Sequence, residues 1–171
     1  MTHAPEMLAY RLLDEIARFQ NFRPLAIEEV TTFIRDNTRV FNIENTWHQL
    51  GVFLGTKLIG DVGMHFLGPD NAQVEIGYTI SPQYQRNGYG KEAVTHITDH
   101  LLNVMKKHRI IASLDPHNAA SIALLESVGF RREGCFKKSV LCHGIWQDDL
   151  VYALLAEEWM ALCSQQPHIQ P

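Results

Sequence analysis

The chain has 171 residues, enough for one domain with a sizeable core and too few for two ordinary ones. Hydrophobic residues make up 46% and charged residues 20%, a globular balance that excludes a disordered or fibrous chain. Lys plus Arg total 15 against 19 for Asp plus Glu, and the net charge of −4 argues against a general nucleic-acid or anionic-membrane binder.

Cys135, Cys142 and Cys163 are odd in number and have no metal-ligand spacing, so they read as reduced thiols, with no metal site expected. No apolar run approaches the roughly 20 residues of a membrane span. The N-terminal stretch carries acidic residues and no apolar signal core. A cytoplasmic protein is expected.

Glu6 to Phe19 reads as a helix with Leu8, Leu12, Ile16 and Phe19 on its apolar stripe. Arg11, Asp14, Glu15 and Arg18 fall away from that stripe. After the break at Asn21–Pro24, a second helix is expected from Ile27 to Arg35, with Glu28 and Glu29 in its first turn, ended by Asp36–Thr38. Three strands follow: Trp47–Leu54, Lys57–Leu67 and Val74–Ser81, with turns at Gly55-Thr56 and Gly68–Asn71, which suggests an antiparallel meander.

Pro82 ends the third strand, and Gln85-Arg86-Asn87-Gly88-Tyr89-Gly90 leads into a helix over Tyr89–Met105. A glycine-rich turn at a helix start leaves backbone N–H groups unpaired and lets a ligand approach them, while the helix dipole adds positive potential. The stretch is a cradle for phosphate or pyrophosphate. The GxGxxG dinucleotide pattern is absent, because Gly90 is followed by Lys-Glu-Ala-Val.

In the helix, Ala93, Val94, Ile97, Leu101 and Met105 form the apolar stripe, and His96, Asp99, His100 and Asn103 the wet face. Lys106-Lys107-His108 suits its negative pole. His96 and His100 have zinc-binding spacing but no third ligand, and read as solvated. Arg109–Leu114 is a strand, parallel to the one before the helix by the crossover rule. A turn at Asp115–Asn118 precedes a helix over Ala119–Val128, stopped by Gly129. Phe136–Cys142 and Ile145–Leu155 form a closing hairpin. Glu157–Leu162 is a last helical turn, and the tail 163–171 is expected to fray. Cys142-His143 resembles a nucleophile–base pair, but adjacent strand residues point to opposite faces. The result is one α/β (α+β-type) domain over 1–171 with a mixed, mostly antiparallel sheet.

Gln85-x-x-Gly88-x-Gly90, Asp115-Pro116-His117-Asn118-Ala119-Ala120-Ser121 running to Gly129-Phe130, Arg132-Glu133-Gly134 and Trp146-x-Asp148-Asp149 together resemble the GCN5-related N-acetyltransferases, in their RimJ/RimL-like (ribosomal-protein-alanine) branch. The likeness spans Trp47 to Trp159, and is looser over Tyr10–Ile34. The family's opening strand has no counterpart ahead of the first helix, so that sheet edge is expected to lack it or to be completed by a neighbouring chain, as in a homodimer.

The resemblance implies acetyl-CoA as co-substrate and a primary amine as acceptor: a protein N-terminus, a polyamine or another small amine. It implies a pyrophosphate held by backbone N–H groups around Arg86–Lys91, with charge from Arg86 and Lys91. It also implies a sheet splayed between Val74–Ser81 and Arg109–Leu114, where the pantetheine arm pairs with the strand edge at Tyr78 and Ile80. Asn118 is an ordinary helix N-cap or, by the family, a pantetheine contact.

Glu75 is either a carboxylate on a strand's wet face or the base that takes the amine's proton. Ser121 is either an N-terminal helix residue or the donor to the leaving thiolate. Many superfamily members place a Tyr where this chain has Leu125. Phe22, Phe41, Trp47, His65 and Trp146 are candidates for an acceptor groove, or core and surface residues. A catalytically silent acyl-CoA-binding module and a plain interaction domain remain as other readings.

Overall fold

A computed structural model describes residues 3–37, 40–68 and 70–165. Thr38 of the expected break, Pro69 of the expected turn and 166–171 of the expected frayed tail lie outside the described residues. The helices are α1 (Ala4–Arg11), α2 (Asp14–Ala17), α3 (Ile27–Asp36), α4 (Tyr89–Asp99), α5 (Ala119–Val128) and α6 (Ala156–Gln165). The strands are β1 (Trp47–Leu54), β2 (Lys57–Leu67), β3 (Gln73–Ile80), β4 (Arg109–Leu114), β5 (Arg131–Cys142) and β6 (Ile145–Leu155).

Among the described residues the strands form one sheet in the order β1-β2-β3-β4-β6-β5, with β3 and β4 its parallel pair. That pair is short. Gln73, Val74 and Glu75 register with Arg109, Ile110 and Ile111, and the pairing stops there. Beyond it β3 stays paired with β2 to Ile80, and β4 stays paired with β6 to Leu114. The sheet is therefore open between Ile76–Ile80 and Ala112–Leu114, as the expected splay requires.

Strand alternation divides the two faces. Met64, Phe66, Val74, Ile76 and Ile110 enter the main core, with Val94 and Leu101 from the α4 region, Leu125 from α5 and Trp159 from α6. Asp61, Gly63, Glu75 and Thr79 line a cavity on the other side. A smaller core gathers Ala4, Met7, Tyr10, Val30 and Leu58.

Several expectations are corrected. The first helix is two: Leu13 is extended (φ −68, ψ 128), and Leu12 and Leu13 are exposed. Its buried stripe is Ala4, Met7 and Tyr10, one i, i+3 row that also carries Arg11 inward. The Tyr89–Met105 helix is α-helical to Asp99 and continues as a π turn over His100–Val104. Asp99 is not on a wet face, because its Oδ1 accepts from Asn103 Nδ2 and from Trp159 Nε1. Lys107 is buried and donates to Asn42 Oδ1 and the Asn71 carbonyl, so it ties down loops rather than capping a helix. Finally, β5 begins at Arg131 and α6 continues through Cys163 to Gln165.

Candidate active site

The loop between β3 and α4 is held open by its own side chains. Gln85 Nε2 donates to the Ile80 carbonyl at 2.8 Å, and Asn87 Nδ2 donates to the Gln85 carbonyl at 3.0 Å. Arg86 (φ 61) and Gly88 (φ 87) adopt left-handed backbone, which costs nothing at glycine. The first helical bond into this turn is Glu92 N–H to the Gly88 carbonyl. From Arg86 to Lys91 the backbone N–H groups have no partner among the described residues. Gly90 allows the helix start to pack closely, since a Cβ there would meet Leu124 Cδ1 at 2.9 Å and Ile80 Cγ1 at 3.4 Å.

A cavity of ≈ 760 Å³ runs from this loop along the gap in the sheet. Gln85, Arg86, Gly88, Gly90, Lys91, Tyr78, Ile80, Asn118 and Ser121 line it; Asn87 and Tyr89 do not. Arg18 and His117, not anticipated from the sequence, add further basic groups, and Phe19 and Gln20 close one wall. The break at Leu13 is what brings that segment over the gap.

The Ser81 N–H donates to the Ile59 carbonyl on β2. By strand alternation the N–H and C=O groups of Ile76, Tyr78 and Ile80 then turn toward the gap. The Ile80 carbonyl is taken by Gln85, and the Tyr78 groups and the Ile80 N–H are offered to whatever fills the gap. Tyr78 crosses it, its hydroxyl donating to the Ser121 carbonyl at 3.2 Å. Burial pushes the Tyr78 phenol up to about 12, offset in part by the Ser121 side chain.

Asn118 fills its cap role: its Oδ1 accepts from the Ser121 N–H at 3.2 Å. The amide Nδ2 has no partner among the described residues, and Asn118 lines the cavity.

A second cavity of ≈ 570 Å³ opens on the other side of the gap. Phe19, Gln20, Tyr78, Thr79, Asn118 and Ser121 line both, so the two cavities meet at Ser121. Glu75 lines only the second, with Asp115, Asp148 and Asp149 across from it. His65 Nδ1 lies 3.5 Å from Glu75 Oε2, and the Trp47 indole stacks on the His65 ring.

The same wall holds a buried polar cluster. Asp61 accepts from Arg11 at 2.6 Å, from the Tyr10 hydroxyl and from Gln49 Nε2. Arg11 was expected on a wet face; it is buried against Asp61. Burial and the Asp61 carboxylate raise the Tyr10 phenol well above its ordinary range. The one signal in the sequence was a carboxylate inside the apolar strand LIGDVGMHF.

Of the candidate groove residues, Phe22 and Trp47 line the second cavity, Phe41 packs on Phe66, and Trp146 is exposed. Cys142 is buried, while His143 points to the carbonyls of Ala17 and Gln20, so they form no pair. His96 and His100 are exposed. No helix among the described residues is long and apolar enough to cross a membrane.

The family described as "Acetyltransferase (GNAT) domain" matches residues 1–131. An uncharacterized N-acetyltransferase of Bacillus subtilis, YnaD, is 42% identical over 85 residues, half of this chain and half of that protein. The [ribosomal protein uS5]-alanine N-acetyltransferase of Escherichia coli is 36% identical over 84 residues, 49% of this chain and 43% of that one. The first of these matches thus spans about half of the relative's length. A GNAT-family acetyltransferase from Bacillus anthracis superposes with a TM-score of 0.81 at 27% identity, covering 91% of this chain and 90% of that one. RimL, a ribosomal L7/L12 acetyltransferase solved with coenzyme A, shares the fold with a TM-score of 0.80 at 19% identity over 90% and 89% of the two chains. The motif series, the splayed parallel pair and these likenesses agree, and the chain belongs to the GNAT acetyltransferase family.

Proposed function

We propose that the protein transfers an acetyl group from acetyl-CoA to a primary amine by direct attack in a ternary complex. The observation that carries this reading is the meeting of two cavities at Ser121, one floored by unpaired N–H groups and the other lined by Glu75. The donors from Arg86 to Lys91 fit a pyrophosphate at a helix N-terminus, and Arg86 and Lys91 add charge beside it. The free edge of β3 at Tyr78 and Ile80, with Asn118 lining the same cavity, fits the amide-bearing pantetheine arm. It also offers N–H donors to the oxygen that gains charge during transfer.

The acceptor enters from the Glu75 side. Glu75 takes a proton from the ammonium group, freeing the nitrogen lone pair. The nitrogen attacks the thioester carbonyl, the C–S bond breaks, and Ser121 passes a proton to the departing sulfur and takes up the second proton that the nitrogen releases. The acceptor is a protein N-terminus, a polyamine or another small amine. The protein acts in the cytoplasm and requires no metal.

Calorimetry with CoA followed by thiol release over a panel of primary amines tests this. The reading expects binding, and acetyl-CoA turnover that depends on an amine. Glu75→Gln should lower kcat by about 10²-fold or more. Ser121→Ala should cost less, because a thiol of pKa about 8.5 leaves readily. Binding without turnover on any amine would instead indicate a silent acyl-CoA-binding module.

A further inference from the structure

Among the described residues, the ion-pair partner of the Glu75 carboxylate is His65. His65 stands directly opposite it in the β2–β3 ladder, and Trp47 stands opposite His65 in the β1–β2 ladder. The three side chains form a row from the acceptor cavity to the sheet edge. His65 Nδ1 is 3.5 Å from Glu75 Oε2, while Nε2 has no partner among the described residues. The side chains of His65 and Glu75 are 22% and 29% exposed; Glu75 lines the acceptor cavity, and His65 is exposed without lining it. The Trp47 and His65 rings stack with centroids 4.9 Å apart at 13°, which fixes the plane of the imidazole.

We infer that His65 is a positioning and relay residue that holds the Glu75 carboxylate and carries its proton out to solvent. This rests on the reading of Glu75 as the base. Acetyl transfer from a thioester to an ammonium group forms one C–N bond and breaks one C–S bond. The nitrogen gives up two protons, one before and one after attack; the thiolate takes up one, so one leaves. After Glu75 has taken that proton, an amide and a thiol fill the cavity and shield it from water. His65 accepts the proton at Nδ1 and releases the one at Nε2, and exchange with water restores the starting tautomer.

Other charged groups face this row and share its pH dependence. On β2, Asp61 is committed to Arg11, Tyr10 and Gln49. Across the cavity, Asp115 is paired with His117, Asp148 with Lys137, and Asp149 accepts from the Ser113 hydroxyl. Among the described residues, His65 is the ion-pair partner of Glu75 and is exposed outside the lining of the acceptor cavity.

Buffer dependence separates a relay from a merely structural role. Initial rates are measured at saturating acetyl-CoA and amine for the wild type, His65→Ala and His65→Gln, in dilute buffer with and without added imidazole. Calorimetry confirms that each variant binds acetyl-CoA as the wild type does. The inference expects kcat of both variants to fall about tenfold in dilute buffer. It expects KM for acetyl-CoA to be unchanged, and imidazole to restore most of the rate to His65→Ala while leaving the wild type unaffected. Full-rate variants in dilute buffer, or a loss that imidazole does not repair, would overturn the relay. If Glu75→Gln is slow while His65→Ala is fast, the relay fails and Glu75 stands as the base. If Glu75→Gln is itself at full rate, the reading beneath it fails.

Discussion

The Tyr78 hydroxyl donates to the Ser121 carbonyl at 3.2 Å, spanning the gap where β3 and β4 have parted. The contact ties the free strand edge to the N-terminal turn of α5, where the two cavities meet. In this account Tyr78 contributes backbone to the ligand and its hydroxyl to the scaffold. Tyr78→Phe should therefore keep CoA affinity within about threefold and lose about 0.5–1.5 kcal/mol of stability, the net worth of one hydrogen bond. Calorimetry and urea denaturation on the same variant check both halves. A large loss of CoA affinity would place the hydroxyl on the ligand instead.

Two buried phenols give the fold an alkaline limit. Tyr78 is pushed from 10.0 to about 12 by burial, and Tyr10 is raised further by burial and by Asp61. Both remain protonated in the folded chain at a pH where unfolded tyrosines ionise, so the unfolded state binds fewer protons there. Stability is full below about pH 10 and falls as pH rises through about 12. Urea midpoints across that range should decline, and the decline should be shallower in Tyr78→Phe.

The Arg11–Asp61 pair is 2.6 Å long, and both side chains are almost wholly buried. Removing one partner leaves a buried charge without its counter-charge. Asp61→Ala should cost about 3–5 kcal/mol. The variant should also loosen α1 and the segment that follows it over both cavities. Hydrogen exchange should show faster opening at residues 4–20 than at α4, whose N-terminal turn packs on Leu124 and Ile80 instead.

Gly88 separates conformation from space. A Cβ there would touch nothing within 4 Å, but its φ of +87 is strained for any side chain. Gly88→Ala should cost about 1–2 kcal/mol. It should weaken CoA binding, because relief of the strain turns the N–H groups of the loop away from one another. Arg86→Ala and Lys91→Ala should weaken binding by less, and their effects should shrink as salt screens the exposed charges. Calorimetry at low and high salt distinguishes the two cases.

Much of the fold was legible because it rests on local signals. The turns at Gly55-Thr56 and Gly68–Asn71 separated the first three strands, and Pro82 and the glycines placed the loop before α4. The crossover rule made β3 and β4 parallel. What stayed hidden was settled by distant partners. No local pattern shows that Arg11 meets Asp61, residues 50 positions apart, or that Asp99 turns inward to Trp159. The apolar repeat through Leu12 and Phe19 continued past a break that tertiary packing imposes at Leu13.

The cofactor side was more legible than the acceptor side for the same reason. Gln85 to Lys91 and Asn118 to Ser121 are short contiguous motifs whose geometry follows from turn and cap chemistry. The acceptor cavity draws its lining from α1, α3, α5 and all six strands, residues far apart in the sequence. Glu75 was identifiable there only as one of two readings, and His65 only as one aromatic among several.

The central claim is that acetyl-CoA occupies the gap between the splayed strands. A crystal structure of the acetyl-CoA complex tests it most directly. The account predicts the pyrophosphate on the N–H groups of Arg86–Lys91, the pantetheine arm along Tyr78 and Ile80, and the thioester beside Ser121 within reach of the Glu75 cavity. Binding elsewhere, or no binding at near-millimolar ligand, would contradict it.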